Sequence, residues 1–361
     1  MGLSGKTTTL AAVATLALTA LVGSSAGAED AGPTWFTSWA QSQQGPAGVT
    51  LNHQSLRMIT HLSQGGDAIR VRVQNTFGTA PLTVDRATAG LSAGTSAVTA
   101  PTPVTFGGSP AVTVPAGGEV WSDDTPLATS PDQDVAISLY VAGKAVPGQH
   151  TSALRDNYLT PAGSGSHVAD RRGAAYTRKV GATYLVSAVD VRNPGLRGTI
   201  VPFGSSVVDG TGSTNCGRGC TRTGTNRRWT DDLARRIVAG LPGTEQLAVA
   251  NAGIGGTTSA AACPKMPKRV KGLDALSRLG RDVLALHGVT AVIYYYGTND
   301  LAYGCTAAPI LASYRQVFQR LRDAGIKVYV TPSTPRPGYS GQNNRDRHSV
   351  GLFVKRGNNC S

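Results

Sequence analysis

The hydrophobic period of this 361-residue chain changes near Gly198, and that change limits what the chain can fold into. Upstream, apolar residues alternate singly with polar ones. Ile69, Val71 and Val73 interleave with Arg70, Arg72 and Gln74, and Val135, Ile137, Leu139 and Val141 repeat the pattern. Successive side chains of a strand point to opposite faces, so this spacing predicts half-buried β-strands. Residues 82–87, 98–106 and 111–121 are shorter β-prone runs, separated by Gly, Pro, Ser and Asp turns. Short strands at this spacing predict an all-β sandwich or jelly-roll-like domain over residues 34–191. The turn cluster Arg192-Asn193-Pro194-Gly195 then serves as a linker.

Downstream, apolar runs alternate with amphipathic stretches. Strands are predicted over residues 198–203, 244–251, 289–296 and 326–331. Between them, residues 229–239, 272–285 and 308–324 place apolar side chains at helical spacing, and Gly325 caps the last. Strands alternating with helices predict an α/β domain over residues 198–361, built on a parallel sheet covered on both faces.

Three loops follow successive strands of that sheet. They are Gly204-Ser205-Ser206-Val207-Val208-Asp209-Gly210, Asn251-Ala252-Gly253-Ile254-Gly255-Gly256 and Gly297-Thr298-Asn299-Asp300. The carboxyl ends of parallel strands lie on one edge, so the loops converge there. They bring together a hydroxyl, a glycine-rich backbone and a side-chain amide. Acyl transfer needs such a set: a serine oxygen attacks a carbonyl, and N–H groups hold the oxyanion that forms. Singly, each motif has a plainer reading. Ser206 suits a helix N-cap, the glycines suit a turn, and Asn299-Asp300 suits a loop cap. In this order and together they point to Ser206 as a nucleophile.

These three blocks resemble the signature blocks of the SGNH/GDSL hydrolases, secreted esterases and lipases with a flavodoxin-like three-layer fold. The first family block reads Gly-Asp-Ser-x-x-x-Gly, and the third reads Gly-x-Asn-Asp. Arg228-Trp229 is also similar to the family, and the resemblance spans residues 198–334. It implies Ser206 as nucleophile, with an oxyanion hole built from the N–H of Ser206, the N–H of Gly256 and the side chain of Asn299. It implies no cofactor or metal, and as substrate a small ester, a lipid or an acetylated polysaccharide. The β region, including residues 57–78, resembles the jelly-roll-type domain that precedes some members.

Two departures stand out. Ser205 occupies the place of the family's Asp, which implies altered local hydrogen bonding. The closing Asp-x-x-His block, source of the general base, is not found. Asp346-Arg347-His348 has the wrong spacing and lies in a predicted helix over residues 345–356, so His348 is expected on a helix surface. His287 sits at the entry to the strand over residues 289–296, on the wrong edge. His53, His61, His150 and His167 are expected to be loop or packing residues. The hydrolase domain is therefore expected to be incomplete at its C-terminus, with an open sheet edge. The alternative is an inert, polysaccharide-binding relative.

Lys6, the apolar run over residues 10–22 and Ala26-Gly27-Ala28 read as a signal peptide over residues 1–28, predicting a secreted protein. No later run suits stable membrane insertion. The net charge of +13 comes from scattered residues with no nucleic-acid motif, so a solvated basic surface is expected. Five cysteines in an exported chain suggest disulfides. A Cys216–Cys220 pair would close a small loop beside the nucleophile, a Cys263–Cys305 pair would cross the same rim, and Cys360 would be left over. No histidine lies near Cys216 and Cys220, which argues against zinc.

Overall fold

Two antiparallel sheets stack ahead of a parallel one in the computed structural model, which describes residues 1–2 and 34–356. Nearly all of the expected leader, and Cys360, lie outside the described residues. The first sheet orders Trp35–Ala40, Val186–Arg192, Ile69–Gln74 and Glu119–Trp121. The second is centred on the long pair Leu51–Leu62 and Gln133–Ala145, in register from Gln133 opposite Leu62 to Val141 opposite Gln54, where a bulge shifts the pairing before Lys144. Ile69, Val71 and Val73 from one sheet and Leu56, Met58, Ile137 and Leu139 from the other fill the space between them. The alternating pattern thus becomes a sandwich, because each sheet has one apolar face to bury.

Leu51–Leu62 shows no clean alternation in sequence. Gln54, Ser55, Arg57 and Thr60 are buried along with its apolar residues. Both faces of this strand are covered, and its polar groups are satisfied inside: Arg57 Nε donates to Ser138 Oγ at 2.8 Å, and Gln54 Nε2 donates to the Thr160 carbonyl at 2.5 Å. Near residue 185 the β-structure is interrupted. Thr183–Tyr184 pairs in a small separate sheet, Leu185 has a positive φ of 61°, and Val186–Arg192 begins after it.

The parallel sheet runs Ala248–Val249, Thr199–Gly204, Val289–Tyr295, Lys327–Val330. In chain order this is 2-1-3-4, so the first strand lies between the second and third. That reversal creates a crevice at its carboxyl end, where open α/β sheets place ligands. Phe203, Tyr294, Tyr314 and Phe318 pack edge-on and tilted beneath, with ring centroids 5.1–6.0 Å apart. The second strand is broken into Ala248–Val249 and Ala252–Gly253. The helix expected over residues 272–285 is Ala275–Leu279 continued by a π-helical turn, Gly280–Leu284.

The two regions share their cores. In Trp35–Ala40, Phe36 packs into the sandwich and Ala40 into the α/β core. Among the described residues Lys327–Val330 is an edge strand, with Tyr329 58% exposed. Phe318, Ile326, Val328, Phe353 and Val354 line an apolar groove beside it.

Candidate active site

Ser206 begins a one-turn helix, Ser206–Asp209, directly after the strand Thr199–Gly204. Buried Val208 anchors the turn, and Gly210 ends it in the left-handed conformation, with φ of 91°. Parallel register sets Gly204 opposite Gly253 on one side and Tyr295 on the other. At Gly253 a Cβ would fall 2.2 Å from the Asp209 nitrogen, so only glycine lets the second strand end against this helix. Buried Ser205 occupies the N-cap without a side-chain capping bond.

The three loops are tied to one another. Asn251 Nδ2 donates to the Val208 carbonyl at 2.6 Å, and Asp209 Oδ2 accepts from Gly255 N at 3.2 Å. Those bonds join the first loop to the second. Asn299 Nδ2 donates to the Thr257 carbonyl at 2.9 Å, which joins the second to the third. Asp300 completes that junction, accepting from the N–H groups of Ala260 at 2.8 Å, Ser259 at 3.1 Å and Gly297 at 3.2 Å. Full burial raises the Asp300 carboxyl to about 6, against the pull of those donors.

Ser206 and Gly256 line one cleft, and Asn299 is buried in the adjoining loop. Gly256 has φ of 85°, a conformation that favours glycine. The α/β side of the cleft adds Thr211 and Arg269. Gln44, Gln149, Thr151 and Ser152 of the sandwich form the facing wall. Among the described residues the Ser206 hydroxyl has no hydrogen-bonded protein partner.

The histidines divide clearly. His348 is exposed on the helix Gly341–Lys355, as expected. His287 lies at the opposite end of its strand from Ser206, with Nδ1 2.5 Å from Asp190 Oδ2 and its ring over Trp121. His150, expected to be a loop or packing residue, is 1% exposed and meets Asp209 Oδ1 at 3.1 Å through Nε2. Beneath the nucleophile turn, Arg278 Nη2 donates to the Gly204 carbonyl at 2.8 Å, and Arg278 pairs with Asp282. Neither role was legible in sequence. His150 is 59 residues from Asp209, and Arg278 sits in a helix whose apolar pattern says nothing of a buried cation.

Both disulfides form as expected, Cys216–Cys220 with Cα atoms 5.4 Å apart and Cys263–Cys305 with Cα atoms 4.9 Å apart. No helix among the described residues is long and apolar enough to cross a membrane.

Residues 203–352 match the GDSL-like Lipase/Acylhydrolase family. Among solved structures, a carbohydrate acetylesterase from Sinorhizobium meliloti is 19% identical, covering 44% of this chain and 78% of its own, with a TM-score of 0.33. An acetyl-xylooligosaccharide esterase from Geobacillus Stearmophilus is 18% identical, covering 44% and 70%, with a TM-score of 0.31. No curated protein matches the sequence. Over residues 203–352 the chain resembles the GDSL-like lipases and acylhydrolases.

Proposed function

We propose that this protein is a secreted serine ester hydrolase with Ser206 as its nucleophile. One observation carries the reading: Ser206 stands at the carboxyl end of the strand where the sheet order reverses, within the segment that matches an acylhydrolase family. Ser206 Oγ attacks the ester carbonyl carbon and loses its proton. The N–H groups of Ser206 and Gly256 and the amide of Asn299 hold the oxyanion. Collapse expels the alcohol, which takes up a proton, and water then releases the acid from the acyl-enzyme. The step needs a general base for the Ser206 proton, and among the described residues no imidazole hydrogen-bonds to Ser206.

The amide and hydroxyl side chains of Gln44, Gln149, Thr151 and Ser152 suit a hydroxyl-rich alcohol group. They favour an acetylated saccharide, or another small acetyl ester, over a long lipid chain. Secretion is supported by the leader-like N-terminal sequence and by the two disulfides.

Hydrolysis of an aryl acetate by the chain and by Ser206→Ala tests the reading. Turnover should be lost in the variant and should rise with added imidazole in the unaltered protein. A second reading, an inert polysaccharide binder, is favoured by the absence of an imidazole at Ser206. Equal background rates for both proteins, with retained polysaccharide binding, would establish it.

A further inference from the structure

We infer that the N-terminal sandwich positions the nucleophile turn, with His150 as the positioning residue that couples the two regions. The turn from Gly204 to Asp209 is held at both ends, and each hold ends on the sandwich. At the Asp209 end, the carboxylate divides between Gly255 N and His150 Nε2. His150 Nδ1–H donates to the Ser42 carbonyl at 2.8 Å. A carbonyl has no proton to give, so Nδ1 is committed as a donor. Nε2 meets the buried Asp209 Oδ1 at 3.1 Å, so both ring nitrogens are engaged. The main chain of Asp209 is held as well: its carbonyl accepts from Arg228 Nε at 2.8 Å, and Arg228 Nη2 donates to the Ala153 carbonyl at 2.9 Å.

At the Gly204 end, Arg278 holds the carbonyl and pairs with Asp282 at 2.9 Å. Arg281 also pairs with Asp282, at 2.6 Å, and donates from Nη2 to the Gln43 carbonyl at 3.0 Å. The two holds thus finish on neighbouring residues, Ser42 and Gln43. The same sandwich segments wall the cleft, Gln44 following Gln43, and Gln149 and Thr151 flanking His150. Any shift of the sandwich moves the wall and the nucleophile together. His150 has both ring nitrogens engaged and no opening to the cleft, so it acts through Asp209 and not on substrate. Misplacing a reacting group by about 1 Å costs roughly 100-fold in rate, which is the scale of what this grip protects.

Full-length His150→Ala and His150→Gln test the assignment by two independent measurements. In the first, amide hydrogen exchange over residues 204–210 should quicken about tenfold or more in His150→Ala, while the strands Leu51–Leu62 and Gln133–Ala145 keep their protection. Unchanged exchange over 204–210, or an equal rise throughout the sandwich, would overturn the proposal. The second is kinetic and rests on the esterase reading of Ser206. On an aryl acetate too small to reach the sandwich wall, kcat should fall roughly 10- to 100-fold in His150→Ala with KM nearly constant. His150→Gln, whose amide N–H reaches toward Asp209, should recover part of the loss. A raised KM with unchanged kcat, or no recovery in the Gln variant, would count against the assignment. If the unaltered protein shows no Ser206-dependent turnover, the esterase reading fails alone, and the exchange measurement still decides the positioning role.

Discussion

Arg278 Nη2 lies 2.8 Å from the carbonyl oxygen of Gly204, two residues before Ser206. The guanidinium is 1% exposed, stacks 4.4 Å from the Phe203 ring centroid, and also reaches the Tyr296 hydroxyl at 2.5 Å. Its fork serves three acceptors in fixed directions, which an ammonium group cannot do. Arg278→Met should destabilise the protein by about 3 kcal/mol, because Asp282 stays buried with one cation fewer. Urea unfolding measures the loss. Arg278→Lys should recover part of that stability but not the kcat on an aryl acetate.

Asp282 and Asp300 give opposite pH dependences. Burial alone raises Asp282, but Arg281 and Arg278 overturn that and hold it at about 2. Its folded value lies below the unfolded one, near 4, so its contribution is present above about pH 4 and lost as pH falls through about 2. That contribution is about 2 kcal/mol. Asp300, raised to about 6, favours the folded state most when protonated. Its contribution, about 3 kcal/mol, is present below about pH 4 and is lost as pH rises through about 6. Urea unfolding from pH 2 to 7 should show both limbs. Asp282→Asn should remove the acid limb, and Asp300→Asn should remove the limb between pH 4 and 6.

Asp300→Asn should also cost stability at every pH. One amide NH2 group would replace an oxygen that accepts a backbone N–H in the second or third loop. An orphaned buried donor costs about 1–3 kcal/mol. The expected result is a melting point several degrees lower, with the loss localised by exchange to residues 257–260 and 297–300.

Asn299→Ala removes the amide assigned to the oxyanion. The kcat on an aryl acetate should fall about 100- to 1,000-fold, with KM little changed. Background turnover equal to that of the unaltered protein would remove Asn299 from the site.

The disulfides should differ in weight. Cys263–Cys305 closes a loop of sequence separation 42, and Cys216–Cys220 one of separation 4. Loop entropy assigns about 4 kcal/mol to the first and about 2 kcal/mol to the second. Cys263→Ser with Cys305→Ser should therefore lower the urea midpoint more than the matching pair at Cys216 and Cys220.

Local signals carried much of the architecture. Alternation over residues 69–74 and 134–141 marks strands, and the change of period after Gly198 marks a parallel sheet; the expected wet faces are covered, since Arg72, Gln74, Ala136 and Ser138 are buried too. Leu51–Leu62 escaped that logic, since a strand covered on both faces buries its polar residues too. The break at Asn251 escaped it as well, because the Asn251 side chain bonds to Val208 and Thr230 in other elements.

For the site, the sequence alone determined the nucleophile candidate and its companions. Ser206, Gly256 and Asn299 follow three successive strands, and parallel pairing leaves their loops one edge to share. Only the tertiary structure decided what holds that edge in place. The His150–Asp209 contact and the grip of Arg278 on Gly204 join residues 59 and 74 positions apart. Such contacts leave no periodic trace in a chain: His150–Asp209 depends on how the sandwich docks against the parallel sheet, and Arg278–Gly204 on how the helix Ala275–Leu279 packs beneath the first parallel strand.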